Sequence, residues 1–227
     1  MRYSSLCAAF VVALLVGATS ARGQLLLYSF ETALPSGAAP DGFSPNGPGT
    51  ILQSQIGATD PTVGPPSHSM KWAVPGAGAT FVGALTTNVI PGTTGPLVQG
   101  YSFDLTLNTG EAFTGAFANI GVTLFEVGGI PHQSDQFFAI PANTTGTFHV
   151  VLTGLTDANN GHVPLIPEFA PGGTAVQSGF QLWLNKTADP ITLYVDNIRT
   201  VVPEPASLLS GCGAIGMLLL SRRRQTV

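Results

Sequence analysis

The feature that most constrains this chain is an apolar alternation of period two that recurs from one end of its middle portion to the other. Over Tyr101–Leu107, Tyr101, Phe103, Leu105 and Leu107 fall on one side and Ser102, Asp104 and Thr106 on the other. Side chains alternate across a strand, so such a run buries one face and wets the other. Asn119–Val127 repeats the pattern with Ile120, Val122 and Leu124, and Thr147–Thr153 does so with Phe148, Val150 and Leu152. Gly179–Asn185 sets Phe180, Leu182 and Leu184 inward and Gln181, Trp183 and Asn185 outward. Shorter runs at Leu25–Phe30, Ile51–Ile56, Ser69–Val74, Thr80–Leu85, Asp135–Ile140 and Ile191–Val201 complete the set. No stretch carries the 3.6-residue stripe of an amphipathic helix over three turns. About nine short strands parted by Gly, Pro and Asn turns predict an all-β, two-sheet β-sandwich of jelly-roll type. Asp157–Gly173 reads as a long polar connection over an edge or beside a groove.

Composition narrows the possibilities. The chain has 28 Gly and 18 Pro among 227 residues, below the share that argues for disorder. Residues 24–201 hold three basic residues (Lys71, Lys186, Arg199) against eleven acidic ones, a net charge of −8. So few cations leave no electrostatic footprint for nucleic acid or anionic lipid, whereas divalent cations would be attracted. The two cysteines, Cys7 and Cys212, both fall outside that span, which therefore uses neither disulfides nor thiolate metal sites.

Both ends read as addresses. Arg2, the apolar Leu6–Val16 and the small residues Gly17–Ala21 form a secretory signal peptide, assigned to residues 1–23. At the other end, residues 202–227 contain Pro203-Glu204-Pro205, an uncharged run Ala206–Ser221, and Arg222-Arg223-Arg224. The prolines hold the motif extended. The run would make an apolar helix of roughly 24 Å, short against a hydrocarbon core of about 30 Å, and the arginines would hold its far end in the cytoplasm. An ordinary C-terminal membrane anchor is one reading. In motif, order and spacing, however, the segment resembles the PEP-CTERM sorting signal of exported bacterial proteins. That resemblance implies processing by an exosortase, transient anchoring, and delivery to the cell surface or extracellular matrix.

The middle domain, residues 24–201, resembles the jelly-roll carbohydrate-binding modules and galactose-binding-like domains. The resemblance rests on Tyr28-Ser29-Phe30-Glu31 near its start, Ser67-His68-Ser69-Met70 entering a strand, and Asp196-Asn197-Ile198 in its last strand. It implies that first and last strands lie side by side and that a structural Ca²⁺ ties them together. Glu31 and Asp196 would supply carboxylates, with backbone carbonyls around Ser67–Lys71 completing an oxygen shell. Alternatively, Glu31 and Asp196 cap strand ends or pair with Arg199 and Lys71. Asp60–Pro66 is longer and richer in proline than that pattern.

For a ligand site, Trp183 on the outer face could stack on a sugar ring while Gln181 and Asn185 hydrogen-bond its hydroxyls. The other reading of Trp183 is a residue packed under the Asp157–Gly173 connection, and Trp72 is expected in the core. His68, His132, His149 and His162 lack metal-ligand spacing, and no serine has a nucleophile elbow around it. The expected function is non-catalytic binding of carbohydrate, such as an exopolysaccharide. The alternatives are a structural or adhesive matrix component without a defined ligand, or a polysaccharide lyase or hydrolase.

Overall fold

A computed structural model describes residues 24–35, 37–59, 67–76, 81–89, 100–133, 136–153, 156–157, 163–164 and 177–201. The expected signal peptide, the Pro203–Pro205 motif, the apolar run and Arg222–Arg224 lie outside these residues. Leu25–Val201 is one compact unit. Among the described residues no helix is long and apolar enough to cross a membrane.

The strands are β1 (Leu26–Tyr28), β2 (Ser44–Asn46), β3 (Thr50–Ser54), β4 (Ser69–Val74), β5 (Phe81–Thr86), β6 (Gly100–Leu107) and β7 (Ala118–Glu126). They continue with β8 (Pro131–Gln133), β9 (Phe138–Ala139), β10 (Gly146–Thr153), β11 (Thr156–Asp157), β12 (Val163–Pro164), β13 (Gln177–Lys186) and β14 (Ile191–Val201). All pairings are antiparallel. Sheet A has the order β10-β6-β14-β4-β3, with β1 also on β14; sheet B has the order β2-β5-β13-β7-β8, with β9 also on β7. β11 and β12 make a separate short antiparallel pair at the Asp157–Gly173 connection, which the sequence gives no period of its own. The protein is thus the all-β two-sheet sandwich expected from its alternation.

The core is what the alternation dictates. Tyr101, Phe103, Leu105 and Leu107 meet Ile120, Val122, Leu124, Phe180, Leu182 and Leu184 between the sheets, all buried. Trp72 is among them, as expected. Rings from both sheets interlock edge-on, Tyr101 on Phe180 at 5.3 Å and Tyr28 on Phe43 at 5.1 Å.

One irregularity positions a site. In β14 the register to β6 shifts between Asp196 and Arg199, and Asn197 takes a left-handed φ of 51°. This is a β-bulge: Val195 and Ile198 both stay in the core, and Asp196 and Asn197 are extruded together onto the outer side.

Candidate functional site

The outer face of sheet B carries the sequence-expected ligand residues. Trp183 lies there, but it is not an open platform. It is 4% exposed, stacks on Phe81 at 5.7 Å with 20° between planes, and donates its indole N–H to the Val122 carbonyl at 3.0 Å. The physical reason is the pair of glycines opposite it, Gly83 on β5 and Gly121 on β7. A Cβ on Gly121 would collide with the indole, and one on Gly83 with the Gln181 amide. The bare backbone lets both side chains lie flat across neighbouring strands. Gln181 is 3% exposed and accepts a hydrogen bond from Asn46 Nδ2 at 3.0 Å. Of the three expected contact residues only Asn185 is partly open. The expectation of an accessible Trp183–Gln181 platform is therefore corrected: both are the floor of the face.

What stands above that floor is phenylalanine. Phe81, Phe117 and Phe137 are 44%, 46% and 53% exposed. Phe81 is cross-strand partner of Asn185, which pairs in turn with Asn119 on β7. Phe117 continues β7 by one residue, its carbonyl accepting the Thr187 N–H at 3.1 Å. Phe137 precedes β9, and extending the Ala139–Asn119 and Phe138–Ile120 pairs by one residue would set it opposite Gly121. With strands about 4.8 Å apart and two residues spanning about 6.8 Å, the three rings frame the Asn119–Asn185 pair at mutual spacings of roughly 12–16 Å. The outward positions between the Phe81 row and the Leu85–Gln181–Thr123 row carry no charged side chain.

The outer side of sheet A is the opposite in character. Asp196 is fully buried and accepts the Thr59 N–H at 2.8 Å on Oδ2 and the Asn197 N–H at 2.8 Å on Oδ1. Burial, reinforced by the nearby Glu31 charge, pushes its carboxyl up to about 6. Thr59 Oγ1 also donates to Asp104 Oδ2 at 2.8 Å, and Asn197 Nδ2 donates there at 3.1 Å. Burial opposes the ionised form of Asp104, but hydrogen bonds from His149, Thr59 and Asn197 outweigh it and hold the carboxyl below its usual range. His149 Nδ1 is 2.8 Å from Asp104 Oδ1. Glu31 accepts from Ser67 Oγ at 2.7 Å and from the His68 N–H at 3.0 Å.

These contacts decide between the two sequence readings of Glu31 and Asp196 as far as ion pairs go. Lys71 binds Glu111 at 3.0 Å and Arg199 donates to the side-chain Oδ1 of Asn197 at 3.2 Å. Neither basic residue neutralises the pair. The first and last strands do lie side by side, Leu26 against Arg199. Around Ser67, however, a hydroxyl and an N–H face Glu31 where carbonyls were expected. Among the described residues no three His, Cys, Asp or Glu side chains are grouped to hold a metal, and Asp60–Pro66 lies outside them. The pair offers two carboxylates, with His68 Nδ1 3.8 Å from Glu31 Oε2, and carboxylate oxygens suit a hard cation in chemistry.

No family model matches the chain, and no curated protein matches it. Solved structures do. The arabinose-bound GH51 α-L-arabinofuranosidase superposes with a TM-score of 0.52 at 18% identity, over 79% of this chain and 26% of that one. The family 11 carbohydrate-binding module of Clostridium thermocellum, in complex with a β-1,3-1,4-mixed-linked tetrasaccharide, superposes with a TM-score of 0.50 at 12% identity. It covers 81% of this chain and 98% of the module. The likeness is one of fold. The chain spans about a quarter of the arabinofuranosidase and nearly the whole of the module, so the shared unit is the sandwich itself.

Proposed function

We propose that residues 24–201 form a non-catalytic carbohydrate-binding sandwich that takes its ligand on the outer face of sheet B. The observation that carries this reading is the trio Phe81, Phe117 and Phe137, exposed around the Asn119–Asn185 amides on an uncharged floor. Phenyl faces suit the C–H faces of sugar rings, and carboxamides donate to and accept from hydroxyls. The full-length resemblance to a carbohydrate-binding module supports it at the level of fold. Residues 1–23 direct export, and Pro203–Pro205 with the apolar run and Arg222–Arg224 act as an exosortase-processed sorting signal. The destination is the cell surface or matrix, with exopolysaccharide as partner. Glu31 and Asp196 would hold a structural Ca²⁺, offsetting the burial and the lesser Glu31 repulsion that raise the Asp196 carboxyl.

Affinity electrophoresis of the mature domain through gels containing mixed-linked β-glucan, xylan or alginate tests the binding face. Retardation by a neutral polymer, abolished in the F81A/F117A/F137A variant, is the expected result. Retardation unchanged in that variant moves the ligand elsewhere, and none with any polymer leaves a structural matrix component. Intact-mass spectrometry of the surface form tests the address: a C-terminus near Val202–Pro205 is expected, and retained Arg222–Arg224 makes the segment a plain anchor.

A further inference from the structure

The chain contains only two lysines, Lys71 and Lys186. Lys71 is half-exposed on Glu111, whereas Lys186, the last residue of β13, is fully buried. Its ammonium donates to three backbone carbonyls: Pro75 at 3.1 Å, Thr187 at 3.0 Å and Asp189 at 2.8 Å. An ammonium has three donors, and all three are used. The Asp189 carboxylate does not complete the set, because its Oδ2 accepts from Thr187 Oγ1 at 2.8 Å. The buried cation is therefore hydrogen-bonded only to peptide carbonyls, with the Asp189 carboxylate near enough to favour its charge. The three oxygens come from two chain connections that touch closely, since a Cβ on Gly76 would stand 2.8 Å from the Ala188 carbonyl. The same end holds the Phe117 carbonyl against Thr187 and Asn185 next to Lys186.

We infer that Pro75, Thr187 and Asp189 form a monovalent-cation socket, occupied in the native chain by the protein's own Lys186 ammonium. The carbonyls converge because a cation sits among them. Without one their dipoles repel, and the two connections would part. The socket accepts a primary ammonium that supplies three N–H donors. It rejects both a bulky quaternary ion without N–H and a neutral molecule of the same length.

The test is chemical rescue of full-length K186A. The substitution removes three methylenes and the ammonium, which n-propylammonium matches atom for atom. Propylammonium at tens of millimolar should raise the Tm of K186A by about 2–4 °C, with saturation. Propanol, which fills the same space without charge, and tetramethylammonium, which carries charge without donors, should not. Wild type should show no saturable response. Equal rescue by propanol would reduce the site to a hole that lost its filling, and no rescue of folded K186A overturns the proposal. Should K186A fail to fold, the wild-type protein decides. Its single deeply buried lysine should give one slowly exchanging NH₃⁺ cross-peak at neutral pH in ¹H–¹⁵N spectra, and absence of that peak sinks the socket.

Discussion

The two outer faces of this sandwich use the same strand geometry for opposite chemistry. Sheet A turns outward a cluster of carboxylates, Asp104 and Asp196 with Glu31 beside them, each tied down by hydroxyls, amides and N–H groups. Sheet B turns outward glycines, amides and phenyl rings with no charge at its centre. On A, side chains hold each other and the loop carrying Thr59. On B, side chains lie flat on bare backbone, and the rings beside them stay about half exposed, Phe81 with one face stacked on Trp183. Polar groups locked into mutual contacts make scaffolding, whereas exposed apolar rings leave area that a partner could cover.

The largest effect should come from breaking A. D196A leaves two buried N–H donors without an acceptor and should cost about 2–4 kcal/mol. D196N keeps the shape, removes the repulsion with Glu31, and should cost less in chelator; urea titration in EDTA measures both. If Ca²⁺ binds there at 100 times its dissociation constant, wild type gains about 2.7 kcal/mol and neither variant does. A chelator that leaves the wild-type melting curve unmoved removes the metal from this face.

Next in size is a break in the floor of B. G121A would drive Trp183 off the sheet at a cost of about 1–3 kcal/mol. Indole fluorescence should shift to the red, with Trp72 as the buried reference. An unshifted spectrum would mean that the glycine is incidental.

A smaller effect sharpens the contrast in pH. The folded Asp196 carboxyl titrates at about 6, above the unfolded value of about 3.9. Its contribution is fully present below about pH 4 and is lost as pH rises through 6. In EDTA, Tm should therefore fall between pH 5 and 7.5 in wild type and stay flatter in D196N. With Ca²⁺ the trend should reverse, since the cation needs the ionised form. The described outward positions between the Phe81 row and the Leu85 row carry no titratable side chain, so polymer retardation should be level across that window.

The smallest effect on stability should follow single truncation of the rings. F117A or F137A should change unfolding free energy by no more than about 0.5 kcal/mol while weakening polymer binding. A large loss of stability would turn these rings from contacts into packing.

The sandwich was legible because alternation is local. Tyr101, Phe103, Leu105 and Leu107 declare their face within seven residues, and all four are buried. β2 is not among the predicted strands because Ser44-Pro45-Asn46 has no apolar alternation to declare it. Trp183 was placed on the correct side of its strand, but its accessibility depended on Gly83 and Gly121, about 100 and 62 residues away in sequence. Cross-strand register is a property of pairing and leaves no trace in a single stretch. Phe117 and Phe137 escaped notice for the same reason. Glu31 and Asp196 were found through resemblance; the bulge that extrudes Asp196 with Asn197 has no signal of its own beyond an asparagine able to adopt positive φ.

The position of β14 has a mechanical consequence. It is the central strand of sheet A, paired with β6 along one side and with β4 and then β1 along the other. A pull on Val201 enters the domain along this strand's own axis and loads the flanking hydrogen bonds in parallel, as shear. Tension between Leu25 and Val201 would instead open the β1–β14 ladder one rung at a time, because those ends lie abreast. A load applied at Val201 is thus taken up by the central strand of sheet A, which is paired along both sides. Force spectroscopy should find a higher rupture force for pulling between Val201 and a handle at Val127 than between Val201 and Leu25.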